Sequence, residues 1–168
     1  MDKANSIRLG DFAGWRCASC NQRIPSIDDG WVEWLASEAD DGITILRGVR
    51  LVHRRPVGSA SSEHGCRYDA FDAFRNKRSV VEGLALERFI GPDGLMLLLS
   101  FLGSGEFPKE EVLELAKRVQ IPGYEMVRDL FPAAIASGVC TPFLGDSYYL
   151  QSEMRELLTW ATEQPKVA

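Results

Sequence analysis

Residues 11–24 read DFAGWRCASCNQRI. Cys17 and Cys20 stand two residues apart inside this stretch, in a tight turn that can bring both thiolates to one ion. Two further ligands must then come from elsewhere in the chain. Residues 31–35, WVEWL, are aromatic and β-branched and predict a strand. ASEADDG follows, with Asp41-Gly42 as turn chemistry. ITILRGVRLVH, residues 43–53, then predicts the returning strand, bent or bulged at Gly48. Val49, Leu51 and His53 alternate onto one face, and Arg50 and Val52 onto the other. His53 closes that strand. A small polar loop, PVGSASSEHG, returns the chain to Cys66.

Cys-x2-Cys, a hairpin, His and then Cys is a donor set for tetrahedral zinc. The expected cofactor is one structural Zn2+ held by Cys17, Cys20, His53 and Cys66. His64 competes with His53 for its place. A redox role for the Cys pair would need a βαβ setting that this stretch lacks. Four protein ligands leave no vertex for water, which argues against hydrolysis. The chain is therefore read as a non-enzyme, with a zinc-dependent nuclease as the remote alternative. Cys140 stands apart and is read as a buried, inert thiol.

The 168 residues include 45% hydrophobic and 26% charged side chains, enough for a core in one ordinary domain or two small ones. No apolar run reaches the length of a membrane span, and MDKANSIRLGDFAG has no apolar signal region. A cytoplasmic location is expected. There the four cysteines are not a disulfide framework. The net charge of −5 argues against indiscriminate nucleic-acid binding. Charge is uneven, however. Residues 1–78 hold 12 Lys and Arg against 11 Asp and Glu, and residues 79–168 hold 7 against 13. Clusters fall at Arg47, Arg50, Arg54 and Arg55, and at Arg75, Lys77 and Arg78. The first four are the candidate nucleic-acid contacts, although such a row is more often a solvated strand face. Trp15, Trp31 and Trp34, with Phe12, could stack on bases. They are better read as cover for the zinc knuckle, because small modules bury little else.

Helical spacing begins at Tyr68. SVVEGLALERFI (79–90) predicts a helix capped by Ser79. PDGLMLLLSFL (92–102) predicts a second, apolar nearly all round and so buried. PKEEVLELAKRV (108–119) is amphipathic, with Val112, Leu115, Ala116 and Val119 on one stripe. GYEMVRDLFPAAIAS (123–137) predicts a helix kinked or split at Pro132 and ended by Gly138. VCTPFLGDSYYLQ predicts two short strands about a turn. SEMRELLTWATE closes the chain as a helix capped by Ser152.

The first half thus resembles zinc-ribbon or zinc-knuckle modules. The helix EEVLELAKRV, the turn QIPG, the helix YEMVRDLFPAAIASG and the wing CTPFLGDSYYLQ resemble a winged helix-turn-helix over residues 92–162. The whole string is similar to small bacterial proteins found around mobile elements, which implies no assigned activity. A DNA-reading winged helix would carry basic groups on its third helix and wing. Here that helix offers Glu125, Arg128 and Asp129, and the wing offers Asp146. Docking to protein is therefore the expected role of this half.

The expected fold class is α+β. It comprises an N-terminal zinc-stabilised β-hairpin module (1–78) and a C-terminal winged-helix-like helical module (79–168). The expected function is a small zinc-binding regulatory or adaptor protein acting through protein contacts. The alternative is a DNA-binding transcriptional regulator using the Arg-rich hairpin. Nucleic acid and a second copy of the chain are further candidate partners.

Overall fold

The computed structural model describes residues 14–56, 65–141 and 148–163. It is a mixed α+β chain in two compact units, residues 14–120 and the residues from 121 onward. The boundary expected at 78/79 falls inside the first unit, because the segment after residue 79 joins the same sheet as the hairpin.

The first unit opens with a two-stranded ribbon, β1 (Trp15–Arg16) and β2 (Arg23–Ile24), around the Cys-x-x-Cys turn. Next comes the long hairpin of β3 (Gly30–Glu38) and β4 (Thr44–His53). Its turn uses Gly42 at φ +80°, and the Asp41 carboxylate accepts the Ile43 N–H. Glu33 pairs with Arg50 but Leu35 pairs with Arg47, so Gly48 and Val49 face Trp34 alone. This is the bulge expected at Gly48, whose φ of +70° suits a residue without Cβ.

A short helix, α1 (Ala70–Lys77), precedes β5 (Val80–Ala85). Asp69 caps α1 by accepting the N–H groups of Phe71 and Asp72. β5 pairs antiparallel with β3 and completes a sheet of order β4-β3-β5. The helix expected over 79–90 is thus a strand and a short 3-10 turn at Leu86–Phe89. Tertiary pairing overrides local helical preference there. Glu82 accepts the Trp34 indole N–H at 3.0 Å. Gly83 leaves room for the Trp31 ring, since a Cβ would sit 2.5 Å from its Nε1. Ser79 is buried and caps nothing; its hydroxyl donates to the Lys77 carbonyl.

Helices α2 (Gly91–Ser104) and α3 (Lys109–Gln120) pack on the sheet face that carries Val32, Trp34 and Leu51. Phe89, Leu98, Phe107, Val112 and Leu115 fill the layer between. The Phe101 ring stacks on Phe107 with centroids 4.5 Å apart, and Trp34 meets both edge-on. α2 was expected to be buried all round, yet Leu95, Met96 and Leu99 are exposed. Covering a sheet takes only one face of a helix. Gly94 is where α2 closes on the preceding turn, and a Cβ there would lie 2.1 Å from the Phe89 carbonyl carbon. The atoms it would meet are all Phe89 backbone, which cannot turn aside as a side chain can. Gly94→Ala is expected to destabilise by about 1–3 kcal/mol, measured as a lower urea midpoint.

β4 lies at the sheet edge, where free backbone groups invite aggregation. Three of them are occupied here. The Leu46 N–H donates to the Glu106 carbonyl, the Val49 N–H to the Glu111 carboxylate, and the Ala18 N–H to the Leu51 carbonyl. The ribbon is also clipped to α3: the Trp15 indole donates to the Arg118 carbonyl, and buried Arg118 donates to the Arg16 carbonyl.

The second unit holds α4 (Tyr124–Val127), α5 (Phe131–Ala136) and α6 (Gln151–Glu163). The segment 123–137 is split as expected, with Pro132 in the first turn of α5, where its missing N–H costs nothing. Tyr124, Val127, Phe131, Met154 and Leu157 form its core with buried Cys140. α6 begins one residue before Ser152. Its start is held by Glu153, which accepts the Leu150 N–H, the return half of a capping box. The turn of the expected wing, 142–147, lies outside the described residues. The described flanks 139–141 and 148–150 contain no strand. The helices joined by the winged-helix resemblance are divided: α2 and α3 share the sheet's core, and α4 to α6 share another. Among the described residues no helix is long and apolar enough to cross a membrane.

Candidate metal centre

Three segments of the first unit meet at one point. The turn between β1 and β2 supplies Cys17 and Cys20. Its shape follows from the Cys17 N–H bonding the Gln22 carbonyl, the Asn21 N–H bonding the Cys17 carbonyl, and Asn21 at φ +60°. The Ser19 N–H points at the Cys17 sulfur at 3.4 Å. The end of β4 supplies His53, and the chain just before α1 supplies Cys66. The four ligand atoms all lie within 4.8 Å of one another, so these three Cys and one His could hold a metal ion. His64 lies outside the described residues.

His53 Nδ1 lies 3.5 Å from the Cys20 sulfur and 3.6 Å from the Cys66 sulfur. Its Nε2 is 3.0 Å from the Arg23 carbonyl, which can only accept. That contact places the proton on Nε2 and leaves the Nδ1 lone pair turned toward the thiols. Ligating histidines are commonly oriented in this way. Cys17, His53 and Cys66 are buried, and Cys20 is exposed.

The thiols differ. Burial raises Cys17, but hydrogen bonds from the backbone of Cys20, Ser19 and His53 and from the Cys20 side chain outweigh it and bring the group to about 7. Burial, then the Cys20 and Cys17 thiols beside it, push Cys66 up to about 12. Thiolates gathered this closely repel one another unless a cation lies among them.

A second cluster positions Cys66. Glu33 is fully buried in β3. Its Oε1 accepts Arg50 Nε at 2.9 Å and the Tyr68 N–H at 2.8 Å. Arg67 approaches its Oε2 at 3.7 Å. Arg50 also donates to the Cys66 carbonyl at 3.3 Å and lies over the Tyr68 ring. Neither Glu33 nor Tyr68 was singled out from sequence. A lone acid inside WVEWL, opposite an arginine-bearing strand, was the available signal.

Arg50 is therefore engaged by Glu33 and the Cys66 carbonyl and is not a free nucleic-acid contact. Arg47, Arg54 and Arg55 are exposed. Trp15 and Trp34 are buried as core cover. Trp31 is half-buried, with Arg67 and Arg54 over its ring at 4.7 and 5.9 Å. Phe12 lies outside the described residues. Comparison with family models, with curated proteins and with solved structures finds no match for this chain.

Proposed function

We propose that Cys17, Cys20, His53 and Cys66 hold one structural zinc ion, and that the chain is a small zinc-stabilised regulatory or adaptor protein acting through protein contacts. The observation that carries the metal assignment is the spacing at His53. A tetrahedron with Zn–S of about 2.3 Å and Zn–N of about 2.05 Å has S···N edges of about 3.6 Å. The separations of 3.5 and 3.6 Å fit that edge. Three thiolates and one imidazole favour zinc over hard cations, which take oxygen. With four protein ligands the ion has no vertex for a reacting water, so its role is to tie the ribbon, β4 and the start of α1 together.

The adaptor reading draws on α2, whose Leu95, Met96 and Leu99 form an exposed apolar row in the first unit. Protein contacts are what such rows serve when they are functional. The Arg-rich hairpin supports a DNA-binding reading less well, since Arg50 is spent on Glu33.

Two measurements test the two parts. Elemental analysis of the purified chain is expected to find one zinc per molecule. Iron or no metal would reject the zinc assignment. Affinity capture with the wild-type chain should retain a partner that Leu95→Glu/Leu99→Glu loses at unchanged zinc content. Identical capture by both proteins would remove α2 from the adaptor reading.

A further inference from the structure

Phe71 and Phe74 on α1 are 69% and 70% exposed. They stand three residues apart and so share a helix face. Core packing does not explain them, because α1 is anchored by buried Ala73 and by its Asp69 cap. The same helix runs into Arg75, Lys77 and Arg78, all exposed, and the Arg75 guanidinium stands over the Phe71 ring at 5.8 Å. From Cys66 to Arg78 there are four cations and two acids, in a chain whose net charge is −5. The acids are engaged: Asp69 caps the helix, and Asp72 accepts the Asn76 amide. Trp15 and Trp34 are core cover, as expected, and Phe71 and Phe74 are the most exposed aromatic rings among the described residues.

We infer that α1 is a binding site for single-stranded nucleic acid, with bases stacked on Phe71 and Phe74 and phosphates on Arg75, Lys77 and Arg78. Exposed rings interleaved with cations are what sequence-tolerant strand binding uses. The two rings are about 4.5 Å apart along the helix axis, close to the roughly 3.4 Å repeat of stacked bases. A duplex hides its base faces in its own stack, so the rings select unpaired strands. The site does not depend on the adaptor reading and uses none of the hairpin arginines.

The test is fluorescence anisotropy of the full zinc-loaded chain with labelled oligo-dT, oligo-rU and a duplex of equal length, at about 50 and 200 mM salt. Single strands are expected to bind, more tightly than duplex and more weakly at the higher salt. Phe71→Ala/Phe74→Ala should weaken binding at least tenfold, and Phe71→Trp/Phe74→Trp should retain it. Arg75→Ala/Lys77→Ala/Arg78→Ala should flatten the salt dependence, which gives a second readout if the aromatic variant folds poorly. No binding at low salt, duplex binding as tight as single-strand binding, or an unchanged Phe71→Ala/Phe74→Ala protein each overturns the site. A Glu- and Leu-rich peptide that binds α1 where oligonucleotides do not would assign the face to a protein partner and likewise overturn it.

Discussion

Cys17→Ser is expected to abolish stoichiometric metal binding and to remove most of the cooperative melting of residues 14–120. Cys17 is 2% exposed and belongs to the main core cluster, so the proposed ligand bond and the packing would fail together. Structural zinc supplies about 10–16 kcal/mol of apparent binding energy in small peptides, while a whole domain is stable by about 5–15 kcal/mol. Losing even a fraction of the first can exhaust the second. A loss of about 3 kcal/mol would lower the melting temperature of a domain this size by roughly 10–20 °C. Elemental analysis and circular dichroism melting read the two effects separately. Chelation of the wild type should reproduce the melt, and Cys140→Ser, in the other core, should leave the metal content alone. Part of the helical signal should survive, because α4 to α6 have a core of their own. One metal per chain in Cys17→Ser would sink the site.

Glu33→Ala should be the most damaging substitution away from the metal. It leaves the largely buried Arg50 guanidinium without its carboxylate and removes the acceptor of the Tyr68 N–H. Breaking a buried ion pair from one side typically costs about 3–5 kcal/mol. Urea unfolding should show a loss of that order, and Glu33→Gln a smaller one, since an amide oxygen can still accept. The Arg50 bond to the Cys66 carbonyl adds a second effect. Competition with a chelator should show metal held about 10–100-fold more weakly, as when the partners behind a ligand are lost. Replacing Glu33 and Arg50 together by apolar residues of similar volume should recover much of the stability, because two charges would no longer need each other. A loss below about 1 kcal/mol in Glu33→Ala would show that Glu33 and Arg50 do not act as a buried pair.

The candidate metal ligands were legible because their signal is local and chemical. Cys17 and Cys20 sit in a turn short enough to share an ion, and His53 ends a strand whose alternation is plain in ITILRGVRLVH. The bulge at Gly48 and the break at Pro132 were legible for the same reason. Each rests on the backbone freedom or constraint of one residue, which sequence states directly. The helix expected over 79–90 failed because the competing term was not local. Val80 to Ala85 have helical spacing, yet β3 had an open edge that their backbone could pair with, and Gly83 admits Trp31. The same missing term hid the open face of α2 and the pairing of Arg50 with buried Glu33. Exposure depends on what else reaches a surface, and no window of sequence contains that. Which atoms could bind a metal, where the hairpin turns and where helices must break were all readable along the chain, because covalent geometry and side-chain chemistry decide those matters within a few residues. The pairing of buried Glu33 with Arg50, the completion of the sheet by β5 and the solvent-facing rings of Phe71 and Phe74 came from contacts between segments distant in the chain.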